Sequence, residues 1–308
     1  MIFKYYNFFV ESFATAIAGF GFEIHPWTLN VILPVGISFY TFHGLSYVID
    51  IYKGRIKAEE NFIDYSVFVS FFPLLVAGPI ERATHLLPQI KRRRIFNSDQ
   101  AIEGIYQIIW GLFKKMVIAD SCAQYANEIF SNYESMNSIS LLLGAFYFSF
   151  QIYGDFSGYS DIALGTSKLF GIDLLKNFNY PYFSRDIAEF WRRWHISLST
   201  WFRDYLYIPL GGSRGSKWIS IRNTIVIFLV SGFWHGANWT FIIWGLIHAI
   251  LFMPLLLSDS NRSSLHLVGY KLVDIFKISS TFAFVCIAWI FFRADSLKDA
   301  WNYLTGMI

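Results

Sequence analysis

The sequence predicts an all-α fold, a multi-pass transmembrane helical bundle whose broken or re-entrant helices surround an intramembrane cavity. Three observations predict it. First, the 308 residues are 55% hydrophobic, 20% aromatic and only 15% charged, with a mean hydropathy of +0.40, whereas soluble domains carry about a quarter charged residues. So much apolar surface does not fit inside one water-soluble core, and the bilayer is the expected solvent. Second, apolar runs recur along the whole chain. Third, Lys and Arg gather in short clusters between those runs, at 91–94, 185–203 and 214–222, as in cytoplasmic loops.

The runs fall at residues 32–51, 65–80, 102–119, 140–164, 224–234, 239–257 and 281–292, with 13–22 as the tail of a further helix. Several approach the roughly 20 residues of a spanning helix; the shorter ones suit tilted, broken or re-entrant segments. Asn97 and Gln100 have capping-box spacing before the run at 102. Asp186 and Glu189 repeat that spacing before a helix expected to continue through His195 and to stop at Pro209 and Gly211-Gly212. Asn238 is placed to cap a helix beginning at Trp239. The basic segments 91–94 and 185–222 are expected on the cytoplasmic side. The connection 120–138, with Asp120, Glu128 and Glu134 but no Lys or Arg, is expected outside. Lys114 and Lys115 strain this scheme, lying near the outer end of their span, and are expected to snorkel or to lie in a shallow segment.

Several classes are excluded early. A net charge of +3 without an aromatic-rich basic signature gives no footprint for nucleic acid. Cys122 and Cys286 sit in or beside apolar runs and read as small buried residues; no Cys/His spacing suggests a metal site. The N-terminus lacks the pattern of a cleavable signal peptide. No fixed-period repeat or low-complexity linker appears, so residues 1–308 read as a single membrane-embedded unit. Both ends are abrupt, which suits a piece of a longer chain. There is no GxSxG elbow, P-loop or HExxH.

The chemistry is concentrated between Asp155 and His248. His235 lies within a segment, 223–258, that contains no Asp, Glu, Lys or Arg. If a helix starts near Arg222, a rise of about 1.5 Å per residue places His235 roughly 20 Å along it, well inside a hydrocarbon core about 30 Å thick. Gly232, Gly236 and Asn238 bracket it, so a helix break is expected there. An ionisable residue at such depth is either functional or a neutral histidine bonded to a neighbouring helix. His248 follows in a plain apolar helix and reads as structural. On a continuous helix His195 shares a face with Trp191, Leu198 and Phe202. Arg192, Arg193 and Arg203 around it suit an anionic cofactor, or simply a basic juxtamembrane helix. His43 and His85 are isolated and read as structural; His25 and His266 lie in polar connections. Asp155 and Asp161 frame a small-residue segment and suit a polar cavity wall, without a fixed role.

The stretches RDIAEFWRRWHISLSTWFRDYLYIPLGG and SGFWHGANWTFIIWGLIHA resemble the bacterial alginate O-acetyltransferase branch of the membrane-bound O-acyltransferase family. LPVGISFYTFHGLSYVIDIY and AGPIERATHLLPQI resemble its upstream segments, and the likeness runs from about residue 3 to the end. The resemblance implies a catalytic intramembrane histidine at His235 and a second required histidine at His195. It implies transfer of an acyl group, acetyl above all, from a cytosolic thioester, acetyl-CoA or an acyl carrier, with no tightly bound cofactor. The acceptor is expected to be an extracytoplasmic hydroxyl, on an exopolysaccharide such as alginate or on an extracytoplasmic acetyltransferase partner. The implied location is the inner cell membrane, in contact with lipid. Members of this branch usually carry further helices on both sides. On that reading His235 is the base or orients the acceptor, His195 polarises the thioester or orients the donor, and Asn238 or Trp234 is placed to hold the oxyanion. Two rivals remain: a small-solute transporter, which predicts an inverted repeat, and an inactive scaffold of an acetylation complex.

Overall fold

The computed structural model describes residues 2–22, 24–32, 34, 36–266 and 269–308. Leu33 and Val35, in the run expected at 32–51, lie outside the described residues, as does the side chain of His266.

The described residues form helices and no strand. The first two are α1 (Ile2–Ala18) and α2 (Ile37–Tyr52). The run expected at 65–80 is not one helix. It yields α3 (Phe62–Val69), a 3-10 turn (Phe72–Leu74) and extended chain up to α4 (Ala83–Lys91). Pro73 and Pro79 account for this, since each removes a backbone donor and bars a continuous helix. The run at 102–119 belongs to α5 (Ser98–Phe113), which passes through a π segment (Lys114–Ala119) into α6 (Asp120–Ser131). The Asn97 side chain caps α5 by accepting from the Asp99 and Gln100 amides at 3.0 and 3.1 Å. The Gln100 amide side chain turns instead to Asp173 at 3.3 Å, so the capping box is half formed.

α7 (Ser138–Leu169) returns alongside α5 and α6. Its glycines let the backbones meet: a Cβ on Gly111 would lie 2.6 Å from the Gly158 carbonyl oxygen, the small-residue contact common between apolar helices. Next come α8 (Ile187–Arg193), α9 (Ile196–Phe202) with a π turn (Arg203–Tyr207), α10 (Lys217–His235), α11 (Trp239–Leu257), α12 (Leu272–Arg293) and α13 (Leu297–Gly306). Two helices are long and apolar enough to cross a membrane by length and composition, Trp239–Leu257 and Leu272–Arg293.

Two aromatic cores matter for the site. One joins α7, α8, α11, α12 and α13 through Trp194, Trp244 and Trp289. The other joins α2, α9 and α10 through Phe42, Trp201 and Trp234. Trp194 and Trp234 belong to different cores, and the space between them is the candidate site.

Candidate active site

α10 and α11 form a helical hairpin whose tip is Gly236–Asn238. Close approach explains the glycines. A Cβ on Gly232 would run into the Phe241 carbonyl, and one on Gly245 into the Phe228 carbonyl. Asn238 caps α11 as expected, accepting from the Thr240 amide at 3.0 Å. Its own amide donates to the Asp295 carbonyl at 2.9 Å, which ties the tip to the segment between α12 and α13. His235 is the last residue of α10. The helix begins at Lys217 rather than near Arg222, so about 1.5 Å per residue carries His235 roughly 27 Å along the axis.

His235 is half-buried against Trp234, Trp244 and Phe292, with ring centroids at 4.8, 4.9 and 5.4 Å. Its Nδ1 lies 2.6 Å from the Ser231 carbonyl oxygen. A carbonyl only accepts, so Nδ1 carries the proton. In the neutral ring Nε2 is then the lone-pair atom.

His195 is reached differently. α8 is capped as expected, the Asp186 carboxylate accepting from the Glu189 amide at 2.7 Å. The expected continuation through His195 is wrong: α8 stops at Arg193, and His195 sits at φ 44, ψ 54 before α9 resumes. Left-handed backbone costs a non-glycine residue roughly 1–2 kcal/mol, so something holds it. The clamp is the chain at Asn177–Asn179. The Asn177 carbonyl accepts from the Ile196 amide at 2.9 Å, and the Asn179 amide donates to the Arg193 carbonyl at 3.0 Å. The Asn177 side chain also accepts from the Ser197 hydroxyl at 2.6 Å, and that hydroxyl accepts from the Ile80 amide at 2.9 Å. The break turns His195 away from the face expected for it. Trp191 instead donates to His248 at 3.3 Å. His195 is 2% exposed, meets Phe156 edge-on at 4.6 Å, and leaves Nε2 buried without a hydrogen-bond partner.

The two histidines nevertheless line one cavity of about 460 Å³. Asp155, Phe156 and Tyr159 of α7, Lys115 of the π segment, Ser38 of α2 and Lys4 of α1 also line it. The π segment accounts for the awkward lysines. Lys115 pairs with Asp120 and Asp155, each at 2.7 Å, while Lys114 pairs with Asp161 and donates to Ser157 at 3.0 Å. Both ammoniums thus have carboxylate partners within the protein, Lys114 buried and Lys115 partly exposed. π segments often mark functional positions in helices.

The other expected residues are placed elsewhere. Arg192 donates to the Asn261 carbonyl at 2.8 Å and to the Ser264 hydroxyl. Arg193 pairs with Glu189 at 2.6 Å and donates to the Tyr270 hydroxyl at 2.8 Å. Arg203 pairs with Asp204 at 2.8 Å. None of the three lines the histidine cavity. Asn238 is committed to its two backbone partners and lies outside the wall, whereas Trp234 lines it with Nε1 buried and unpartnered. His248 is fully buried among Phe190, Trp191 and Trp244, a packing residue. His43 accepts from the Glu81 amide at 3.1 Å. His85 lies 2.7 Å from the Glu81 carboxylate, which raises its pKa. Sequence reasoning missed Lys4, Ser38 and Lys115 as wall residues. The one signal for Lys4 was an isolated cation in the aromatic helix IFKYYNFF.

The family model described as "MBOAT, membrane-bound O-acyltransferase family" matches residues 56–296. The chain is 43% identical to a Pseudomonas aeruginosa protein named probable alginate O-acetylase, over 99% of this chain and 57% of that one. It is 40% identical to the peptidoglycan O-acetyltransferase of Helicobacter pylori, over 99% of this chain and 62% of that one. It is 30% identical to the teichoic acid D-alanyltransferase of Bacillus subtilis, over 85% of this chain and 69% of that one. The chain thus spans 57–62% of the length of the first two relatives.

Proposed function

The chain belongs to the membrane-bound O-acyltransferase family, and on that premise we propose that it holds the reaction cavity of a membrane O-acetyltransferase. The donor is a cytosolic thioester, acetyl-CoA or an acetylated carrier. The acceptor is a hydroxyl outside the membrane, on a polysaccharide or on a partner that relays the acetyl group. The carrying observation is that His235, with Nδ1 bound to the Ser231 carbonyl, presents Nε2 as a base in a cavity it shares with His195.

The step balances simply. Nε2 of His235 takes the acceptor's O–H proton as its oxygen bonds to the thioester carbon. The carbonyl electron pair moves onto oxygen. Collapse breaks the C–S bond, and the thiolate leaves with the proton returned from the imidazolium. Positioned proton transfer of this kind contributes about 10²–10⁴-fold. The buried Nε2 of His195, without a partner, supports a role in orienting donor or acceptor. The multi-pass reading, with segment 185–222 cytoplasmic in an inner membrane, rests on the distribution of Lys and Arg.

The test is His235→Gln in a host lacking its own homologue. An amide cannot accept the proton, so polysaccharide acetylation should fall to background while the protein stays inserted at wild-type level. Substantial acetylation by the well-expressed variant would favour a scaffold or transporter instead.

A further inference from the structure

We propose that Lys4 is the cationic donor of the reaction cavity, its ammonium seated at the end of the His235 helix with one N–H left for the acyl oxygen that becomes anionic. The proposal rests on the acyltransferase reading above and goes beyond it, because it gives α1 a part in the chemistry.

Acyl transfer places a negative charge on the former carbonyl oxygen, and fixed donors in a water-poor site stabilise it. Two uncommitted donors in the wall are neutral, the Trp234 indole N–H, buried without a partner, and the Tyr159 hydroxyl. His235 Nδ1 is committed to Ser231, and neutral Nε2 accepts rather than donates. Asn238 is spent on backbone groups. Of the two lysines in the wall, Lys115 is neutralised by Asp120 and Asp155.

Lys4 differs on each count. Its Nζ donates to the Ser38 hydroxyl at 2.9 Å and to the Trp234 carbonyl at 2.8 Å. Among the described residues it forms no ion pair with a carboxylate. An ammonium has three donors, so one remains for the cavity that Lys4 lines. The seat is fixed. The Tyr5 hydroxyl donates to the same Trp234 carbonyl at 3.3 Å, and the ammonium lies 5.3 Å from the Tyr5 ring centroid and 6.0 Å from that of Trp234. The carbonyl belongs to the residue beside His235, at a helix end that has no backbone cap, where a cation complements the dipole. One side chain therefore bonds to the terminus that carries the base and lines the space where the oxyanion would form. A charge left unpaired in such surroundings is costly to keep without a use.

Capping alone and oxyanion binding predict different things. Lys4→Gln keeps a donor for the Trp234 carbonyl but removes the charge; Lys4→Arg keeps both. We expect Lys4→Gln to retain the wild-type thermal midpoint and KM for acetyl-CoA while kcat falls about 10²–10³-fold, with partial recovery in Lys4→Arg. Binding of a methylphosphonyl thioester of coenzyme A, a tetrahedral anion at the acyl position, should weaken in parallel, and binding of free coenzyme A should not. A Lys4→Gln protein with wild-type kcat and wild-type affinity for the phosphonate overturns the proposal and leaves Lys4 a helix cap, as does one whose only defect is a lower midpoint. Those outcomes leave the acyltransferase reading standing. If wild type and His235→Gln handle acetyl-CoA alike, that reading falls and takes this one with it.

Discussion

The molecule breaks its helices at both histidines, and it does so by opposite means. At His235 the chain turns where glycine and asparagine already favour a turn. The hairpin is then locked by local groups: the Asn238 cap and backbone contact across Gly232 and Gly245. At His195 nothing in WRRWHIS disfavours helix, and both flanks are helical. The break exists because the distant Asn177–Asn179 chain captures one backbone group on each side of it. The first break is an instruction in the local sequence, the second an imposition by the fold. Strain at a residue that lines a cavity is a common accompaniment of function.

That contrast is open to attack, most forcefully at the hairpin. Gly232→Ala should cost about 1–3 kcal/mol, since the added Cβ meets the Phe241 carbonyl, backbone that cannot rotate away. Gly44→Ala in α2, where a Cβ meets nothing within 4 Å, should instead be neutral or stabilising by roughly 0.5–1 kcal/mol. Thermal unfolding in detergent gives both signs. Equal effects would mean that the hairpin's close approach is not rigid.

At the second break the expectation reverses the usual ranking of residues. Gly normally destabilises a helical region relative to Ala, but at φ 44 it relieves strain. His195→Gly should therefore be more stable than His195→Ala by about 1 kcal/mol, although both lose the ring and, on the proposed function, should lose acetyl transfer alike. If Ala proves the more stable, His195 is not left-handed.

The smallest effect lies in the framework behind the second break. Ile80, which donates to Ser197, adjoins Glu81, whose buried carboxylate holds His85 at 2.7 Å and the Leu175 amide at 2.6 Å. The Glu81 contact raises the His85 pKa. A raised folded-state value means that the contribution is fully present below the unfolded value of about 6.5 and is lost as pH rises through the folded one. The midpoint difference between wild type and His85→Gln should thus be largest near pH 5.5 and shrink towards pH 9. A difference independent of pH would remove the ion pair from the account.

Much of this was written locally. The apolar run at 239–257 became α11 with the same limits, because twenty or so apolar residues after a capping Asn leave little choice. The Asn97 and Asp186 caps are also present, since a side-chain oxygen two or three residues from a free amide needs no tertiary help. His235 was legible for the same reason: a histidine among apolar residues, beside helix-breaking glycines. What the fold alone decided depended on partners distant in sequence. The Asn177 clamp on His195, the pairing of Lys114 with Asp161 and of Lys115 with Asp155, and the seating of Lys4 on the Trp234 carbonyl each join residues that no local pattern connects. The three arginines near His195 show the converse, for a sequence-local cluster is paired away from the cavity with Asn261, Glu189 and Asp204. Local chemistry determines where a helix can begin and end. Where a polar side chain goes in an apolar bundle depends on which buried partner the packing brings within hydrogen-bond reach, because an unpaired group there is too costly to leave alone.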